Sequence, residues 1–285
     1  MSPTVALLAA GSGRRFGAPK LLMPAGEGEV LLSRAASLAL SVADRVLCVL
    51  PADAELHVAA LAKLGSDRLI LLENADAAQG MGTSVACAAR VCLQRGLAAD
   101  GLLVMPADLP TVDQAFLRRL VDAYAACDGC DAAAAEDKEG RLLAPAVLGP
   151  GLLPDISSLR GDEGARAILR RAGTRVAAVA IGEGEDIDDF RAFVRLARRL
   201  GWDRERLPDI SWRDAPQGLA PPDGAWRVGS TLAASLAGHG PGISGFQAPG
   251  LVEGIRRILF AGESVFERLM LLRASALLSF ADENW

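Results

Sequence analysis

Histidine is almost missing from this chain: His57 and His239 are the two it has in 285 residues. Neither falls in any of the motifs described below. A histidine metal centre and a serine–histidine hydrolase therefore lack their central residue, and Gly242-Ile243-Ser244-Gly245 is not a full nucleophile elbow. Cysteine is sparse and odd in number, at Cys48, Cys87, Cys92, Cys127 and Cys130. Scattered in this way, the cysteines read as reduced thiols of a cytoplasmic protein. Cys127-Asp128-Gly129-Cys130 reads as a helix end with two small apolar residues, rather than half a zinc site or a redox pair. A basic surplus is also absent. The formal net charge of −5 and pI near 5.2 exclude a general nucleic-acid binder, which would carry a basic face. No apolar run reaches the roughly 18 residues of a membrane span. No basic, apolar leader with a small-residue cleavage site opens the chain, whose first strand begins by Val5.

What is present is alternation. Short apolar runs at Val5–Ala9, Arg45–Leu50, Leu69–Leu72, Gly101–Met105, Ala132–Glu136, Pro145–Leu148 and Arg175–Ala180 read as strands. Helical patterns separate them near Leu31–Leu40, Ala54–Lys63, Thr83–Arg95, Asp113–Cys127 and Gly164–Ala172, with a last one at Asp188–Leu200. Strands that are apolar throughout predict a mainly parallel sheet covered on both faces. The expected architecture is a doubly wound α/β layer, whose ligands sit beyond the carboxyl ends of the strands.

The first strand runs directly into Ala10-Gly11-Ser12-Gly13-Arg14-Arg15-Phe16-Gly17-Ala18-Pro19-Lys20. A glycine-rich turn in that position lets backbone N–H groups approach phosphate oxygens, because no Cβ stands in the way. Arg15 and Lys20 add full positive charge beside those amides. Lys20 is one of three lysines among 30 basic residues, the others being Lys63 and Lys138. Two familiar phosphate loops are excluded by spacing. The dinucleotide fingerprint requires a third glycine where Phe16 stands, and a Walker A loop requires Gly-Lys-Ser/Thr in succession, whereas Lys20 follows Pro19 and precedes Leu21.

The string Leu8-Ala9-Ala10-Gly11-x-Gly13-x-Arg15-Phe16-Gly17-x-x-Lys20 resembles the signature of the MobA-like nucleotidyltransferases. Its Leu-Ala-Ala-Gly opening is similar to that of the molybdenum cofactor cytidylyltransferases (MocA-type), whereas the guanylyltransferase branch typically shows Leu-Ala-Gly-Gly. The resemblance covers about residues 4–200. It implies a Rossmann-like nucleotidyltransferase fold and a Mg²⁺-dependent transfer of CMP from CTP to the phosphate of molybdenum-molybdopterin. Related chemistries are a guanylyl or sugar-phosphate transfer, or a non-catalytic carrier of the cofactor. The implied nucleotide contacts are Ala9, Ala10, Gly11, Gly13, Arg15 and Lys20, of which Arg15 and Lys20 also serve catalysis by holding the triphosphate.

Four further segments match this resemblance. Met105-Pro106-Ala107-Asp108-Leu109-Pro110 follows a strand, so Asp108 emerges at the same sheet edge as the glycine loop and suits a Mg²⁺ ligand. Asp113 is the better placed of the two to cap the helix that follows. Asp186-Ile187-Asp188-Asp189 corresponds to the family's closing acidic segment, which makes Asp188 the second implied metal ligand. Ala78-Gln79-Gly80-Met81-Gly82-Thr83-Ser84 precedes a helix and is similar to a Gln-Gly-Met-Gly-Ser-Ser-like nucleotide segment; Gln79, Gly80 and Ser84 are its candidates for base or ribose contact. Gly161-Asp162-Glu163-Gly164-Ala165-Arg166 resembles a late family element in which Arg166 would meet the acceptor's phosphate. The family often has His-Pro before a short strand, and here Ala144-Pro145 stands in its place.

Composition breaks after Trp202. Domain boundaries are expected at 1–202, the nucleotidyltransferase domain, and 203–285, a Pro/Gly-rich linker with a helical extension. Ala220-Pro221-Pro222-Asp223-Gly224 and Gly238-His239-Gly240-Pro241-Gly242 mark the linker. Apolar residues at Leu251, Val252, Ile255, Ile258 and Leu259, then Val265, Phe266, Leu269 and Met270, fall on one helical face. That face would dock on a recipient molybdoenzyme, pair two copies of the chain or fold back on its own domain.

Overall fold

The computed structural model describes residues 1–11, 20–23, 25–26, 29–52, 54–62, 64–161, 168–170, 174–182, 187, 190–200 and 202. Two compact units divide the chain, Met1–Ser12 with Leu31–Asp186, and Gly13–Val30 with Ile187–Trp285. The break expected after Trp202 falls on residues outside those described.

All seven expected strands are present, in the first unit: β1 (Thr4–Leu8), β2 (Val46–Pro51), β3 (Leu69–Asn74), β4 (Leu102–Pro106), β5 (Ala132–Glu136), β6 (Leu142–Leu148) and β7 (Val176–Ala180). They form one sheet in the order β3-β2-β1-β4-β6-β5-β7. Every pairing is parallel except the two made by β6, which runs antiparallel to β4 and β5. β1 and β4 lie side by side near the centre, in register from Thr4↔Leu102 to Leu8↔Pro106. The carboxyl ends of β1, β2, β3 and β4 therefore share one edge, where doubly wound sheets hold their ligands.

Among the described residues the helices are α1 (Leu31–Leu40), α2 (Glu55–Ala62), α3 (Met81–Arg95), α4 (Gln114–Ala126), the four-residue α5 (Leu153–Ile156) and, in the second unit, α6 (Phe190–Leu200); most of the helix expected at Gly164–Ala172 lies outside the described residues. Side chains alternate across a strand, so each apolar strand offers two surfaces to cover. α3 and α5 pack on one of them, through Val85, Ala89, Leu153 and Ile156 against Ala6, Leu8, Val49 and Val104. The buried Leu32 and Ala36 of α1 and Leu117 and Leu120 of α4 lie outside that cluster; α1 packs on β1 and β2, where Val5 and Leu7 have the opposite parity, and α4 packs on β5, β6 and β7. The helix-on-both-faces layer expected from the apolar strands is therefore present. α6 buries Phe193, Leu196 and Ala197, with the Phe193 ring 6.5 Å from that of Trp202.

The largest boundary shift among the strands is at the start of β6. β6 begins at Leu142, three residues before Pro145, because Leu142 pairs with Glu136 across a tight hairpin. The register shifts between Ala134 and Ala135, opposite the cis Ala144–Pro145 pair. Proline has no N–H for the ladder and is accommodated at such an irregularity. α4 starts as expected: Asp113 is its N-cap, and its Oδ1 accepts from the Phe116 N–H at 2.7 Å. Replacing Asp113 with alanine should cost about 1 kcal/mol of stability and lower the midpoint of thermal melting by a few degrees, without changing nucleotide binding.

Cysteine pairing differs from the reading of five free thiols. Cys127 and Cys130 form a disulfide across the turn between α4 and β5, with Cα atoms 5.5 Å apart. Gly129, at φ 72°, makes that turn possible, and the Cys130 N–H donates to the Cys127 carbonyl at 3.3 Å. The other three cysteines are free. Burial pushes the Cys48 thiol up to about 12 and the Cys92 thiol to about 11, which keeps both protonated and unreactive.

Candidate active site

At the carboxyl edge of the sheet, β1 and β4 end together. The Ala9 N–H donates to the Val49 carbonyl at 2.9 Å, and the Ala107 N–H donates to the Leu8 carbonyl at 3.0 Å. These two bonds carry the sheet ladder one step past the strands. They bring the backbone at Leu8–Ala9 beside Ala107, one residue before Asp108. Ala9 and Ala10 are buried and give this edge only their backbones, while Gly11 is exposed. A Cβ built on Gly11 would meet nothing within 4 Å. Packing among the described residues therefore does not demand glycine there, whereas close approach by a ligand would. Asp108 is half-buried, two residues beyond β4. Gly13 and Arg15 lie outside the described residues.

Lys20 belongs to the second unit. It opens a single 3₁₀ turn, Lys20–Leu22, that is anchored by the buried Leu21 and Leu22. Its Nζ donates to the carbonyl of Ile187 at 2.7 Å. Ile187 is itself buried, and it directly precedes Asp188, which lies outside the described residues together with Arg166. The lysine of the glycine-rich motif and the closing acidic segment, 167 residues apart in sequence, are thus joined by one hydrogen bond.

The Gln79–Ser84 segment leaves the same edge, after β3. α3 starts at Met81, two residues earlier than the pattern predicts, because Gly80 and not a hydroxyl residue is its N-cap. Gly80 adopts φ 127° and ψ 171°, a conformation that is essentially restricted to glycine, so it turns the chain where a side chain would be strained. Gln79 is exposed, and its Nε2 donates to Asp76 Oδ1 at 2.7 Å. Ser84 is the third candidate of this segment. It is 5 % exposed, and its Oγ accepts from Asn74 Nδ2 at 3.0 Å. The helix turns this hydroxyl inward, so Ser84 supports the loop from behind.

Sequence reasoning missed Asn74 and Thr83. Asn74 closes β3, is 4 % exposed, and also donates to Thr83 Oγ1 at 2.9 Å. The available signal was an amide at the end of an otherwise apolar strand, nine and ten residues before two hydroxyls. A second tie was equally hidden: the Gly82 N–H donates to the Gly161 carbonyl at 2.9 Å. It brings together two segments that sequence reading assigned to nucleotide and acceptor.

The model of the MobA-like NTP transferase domain matches residues 5–176. The chain belongs to this family. Purine catabolism protein PucB of Bacillus subtilis (strain 168) is 33% identical over 205 residues, covering 68% of this chain and 95% of that protein. Nicotine blue oxidoreductase of Paenarthrobacter nicotinovorans is 30% identical over 201 residues, with the same coverage of 68% and 95%. Among solved structures, Rv0371c from Mycobacterium tuberculosis H37Rv aligns with a TM-score of 0.57 and 24% identity, over 70% of this chain and 99% of that one. The MobA-like assignment makes the chain a nucleotidyltransferase that uses a nucleoside triphosphate. Among the described residues, no helix is long and apolar enough to cross a membrane.

Proposed function

We propose that this nucleotidyltransferase moves CMP from CTP to the phosphate of molybdenum-loaded molybdopterin, giving molybdopterin cytosine dinucleotide and pyrophosphate. The observation that supports it best is the Ala107-to-Leu8 bond, which holds side by side the ends of β1 and β4, the two strands that lead into Gly11 and Asp108, in a chain of this family. An oxygen of the acceptor's phosphate forms a bond to the α-phosphorus. The bond from that phosphorus to the bridging oxygen breaks, and pyrophosphate leaves with its electron pair. No protein nucleophile is needed, so positioning and charge neutralisation carry the catalysis.

In this reading the backbones of Ala9, Ala10, Gly11 and Gly13, with the charges of Arg15 and Lys20, hold the triphosphate. Gln79, Gly80 and Ser84 meet the base or ribose, and Arg166 meets the acceptor's phosphate. The Ala-Ala-Gly opening supports cytosine by its resemblance to the cytidylyltransferase branch. Among the described residues no group of three or more His, Cys, Asp or Glu could hold a metal alone. Mg²⁺ is usually bound by one or two carboxylates together with substrate phosphates. Asp108 would supply one carboxylate and, by the family resemblance, Asp188 the other, with the nucleotide completing the shell. Bound there, Mg²⁺ would neutralise charge on the α-phosphate. A recipient molybdoenzyme would take the product.

Pyrophosphate release tests the proposal, with CTP, GTP, UTP and ATP compared in the presence and absence of molybdenum-loaded molybdopterin and Mg²⁺. Release with CTP and that acceptor alone is the expected result. Release with GTP, or with a sugar phosphate as acceptor, would overturn the substrate pair while keeping the reaction class. Binding of a nucleotide without release under any condition would favour a carrier. The readout also separates nucleotidyl transfer from the oxidation–reduction chemistry named for the Paenarthrobacter relative.

A further inference from the structure

We infer that Asn74 is the positioning residue of the nucleotide loop, setting the Gln79–Gly80 turn from within the core. The inference rests on the reading of that turn as a nucleotide contact. Asn74 uses its amide in three directions. Nδ2 donates to Thr83 Oγ1 at 2.9 Å and to Ser84 Oγ at 3.0 Å, and Oδ1 accepts from the Asp76 N–H at 3.1 Å. Thr83 relays the restraint forward, its hydroxyl shared between the carbonyls of Gly80 at 2.8 Å and Asp76 at 3.1 Å. One buried side chain therefore fixes both ends of the 76–83 turn. As a glycine, Gly80 reaches its positive-φ conformation without strain, and these bonds select it from the many others open to it.

An amide is the group this position requires. It must donate twice and accept once, and asparagine does so without charge. Aspartate has the same shape but, when ionised, only accepts. Thr83 would then have to turn its single proton toward residue 74 and abandon the Gly80 and Asp76 carbonyls. Burial disfavours the charged carboxylate and raises its pKa, so acid would restore one O–H donor. Among the described residues, the charged neighbours of Asn74 in the chain are Glu73 on β3 and Asp76, whose carboxylate accepts from Gln79, while Arg160 precedes Gly161, whose carbonyl accepts from the Gly82 N–H. The first turn of α3 has no acidic residue.

The test is titration of the full-length chain with CTP and the other three nucleotides at pH 8 and pH 5.5, as wild type and Asn74→Asp. The ratio of variant to wild-type affinity is the readout. Weakening of about tenfold at pH 8, largely recovered at pH 5.5, is expected at a temperature well below melting, together with a melting midpoint that is lowered at pH 8 and recovers at pH 5.5. If Asn74→Asp does not fold, Thr83→Val and Thr83→Ser take its place: the valine variant should bind nucleotide about tenfold more weakly and the serine variant should restore binding. Wild-type affinity in Asn74→Asp at both pH values, or in Thr83→Val, overturns the role of Asn74. A wild-type chain that binds none of the four nucleotides would instead overturn the nucleotide reading itself, and the inference with it.

Discussion

Asp108→Ala should abolish Mg²⁺-dependent pyrophosphate release while leaving the melting curve almost unchanged. The two halves of that expectation have different origins. Loss of activity follows from removing a carboxylate at the strand edge where the glycine segment emerges, since a hard cation needs an oxygen donor there. Preservation of the fold follows from position. Leu102, Leu103, Val104 and Met105 are buried within β4 and stay in place, and the Ala107 N–H still reaches the Leu8 carbonyl. Asp108→Asn keeps the shape and reduces the charge, so it should retain binding of nucleotide alone but respond weakly to added Mg²⁺. A variant that unfolds would make Asp108 structural. Turnover near wild type would remove it from the metal site.

The second large effect is expected at Lys20. Lys20→Ala should lower the rate by about 10²- to 10³-fold, or about 2.7–4 kcal/mol, by analogy with the loss of one preorganised donor to a developing negative charge. The hydrogen bond to the Ile187 carbonyl adds a second consequence. Alanine would also release the backbone immediately before Asp188, so part of the loss would come through the closing acidic segment. Lys20→Arg separates the two contributions. Arginine keeps the charge but carries it on a planar fork that cannot reproduce the compact ammonium contact. If charge at the triphosphate dominates, arginine should recover much of the rate. A poorly active Lys20→Arg chain with a lowered melting midpoint would shift the weight to the Ile187 anchor. A Lys20→Ala chain with near-normal turnover would end the phosphate assignment.

Much of the architecture was legible before any coordinate. α1 spans Leu31–Leu40 as its apolar spacing predicts, and β5 spans Ala132–Glu136. Such elements are readable because local period and propensity point the same way as burial. β6 was only half readable, since three of its residues acquire strand geometry by pairing with β5. The start of α3 was misplaced for a related reason. Thr83 and Ser84 have the chemistry of caps, yet the backbone of Gly80 makes the turn and both hydroxyls face Asn74.

By itself the sequence determined the doubly wound layer, the position of the glycine segment after the first strand, and the carboxylate Asp108 after the fourth. Those features depend on apolar period and on residues adjacent in the chain. Tertiary structure alone decided how the polar groups are used: Ser84 turned inward by Asn74, Gly82 tied to Gly161, Lys20 bound to the Ile187 carbonyl, and Cys127 joined to Cys130. The physical reason is that a hydrogen-bonding group near a turn has several partners of similar energy within reach, and only the packed chain leaves one of them in place.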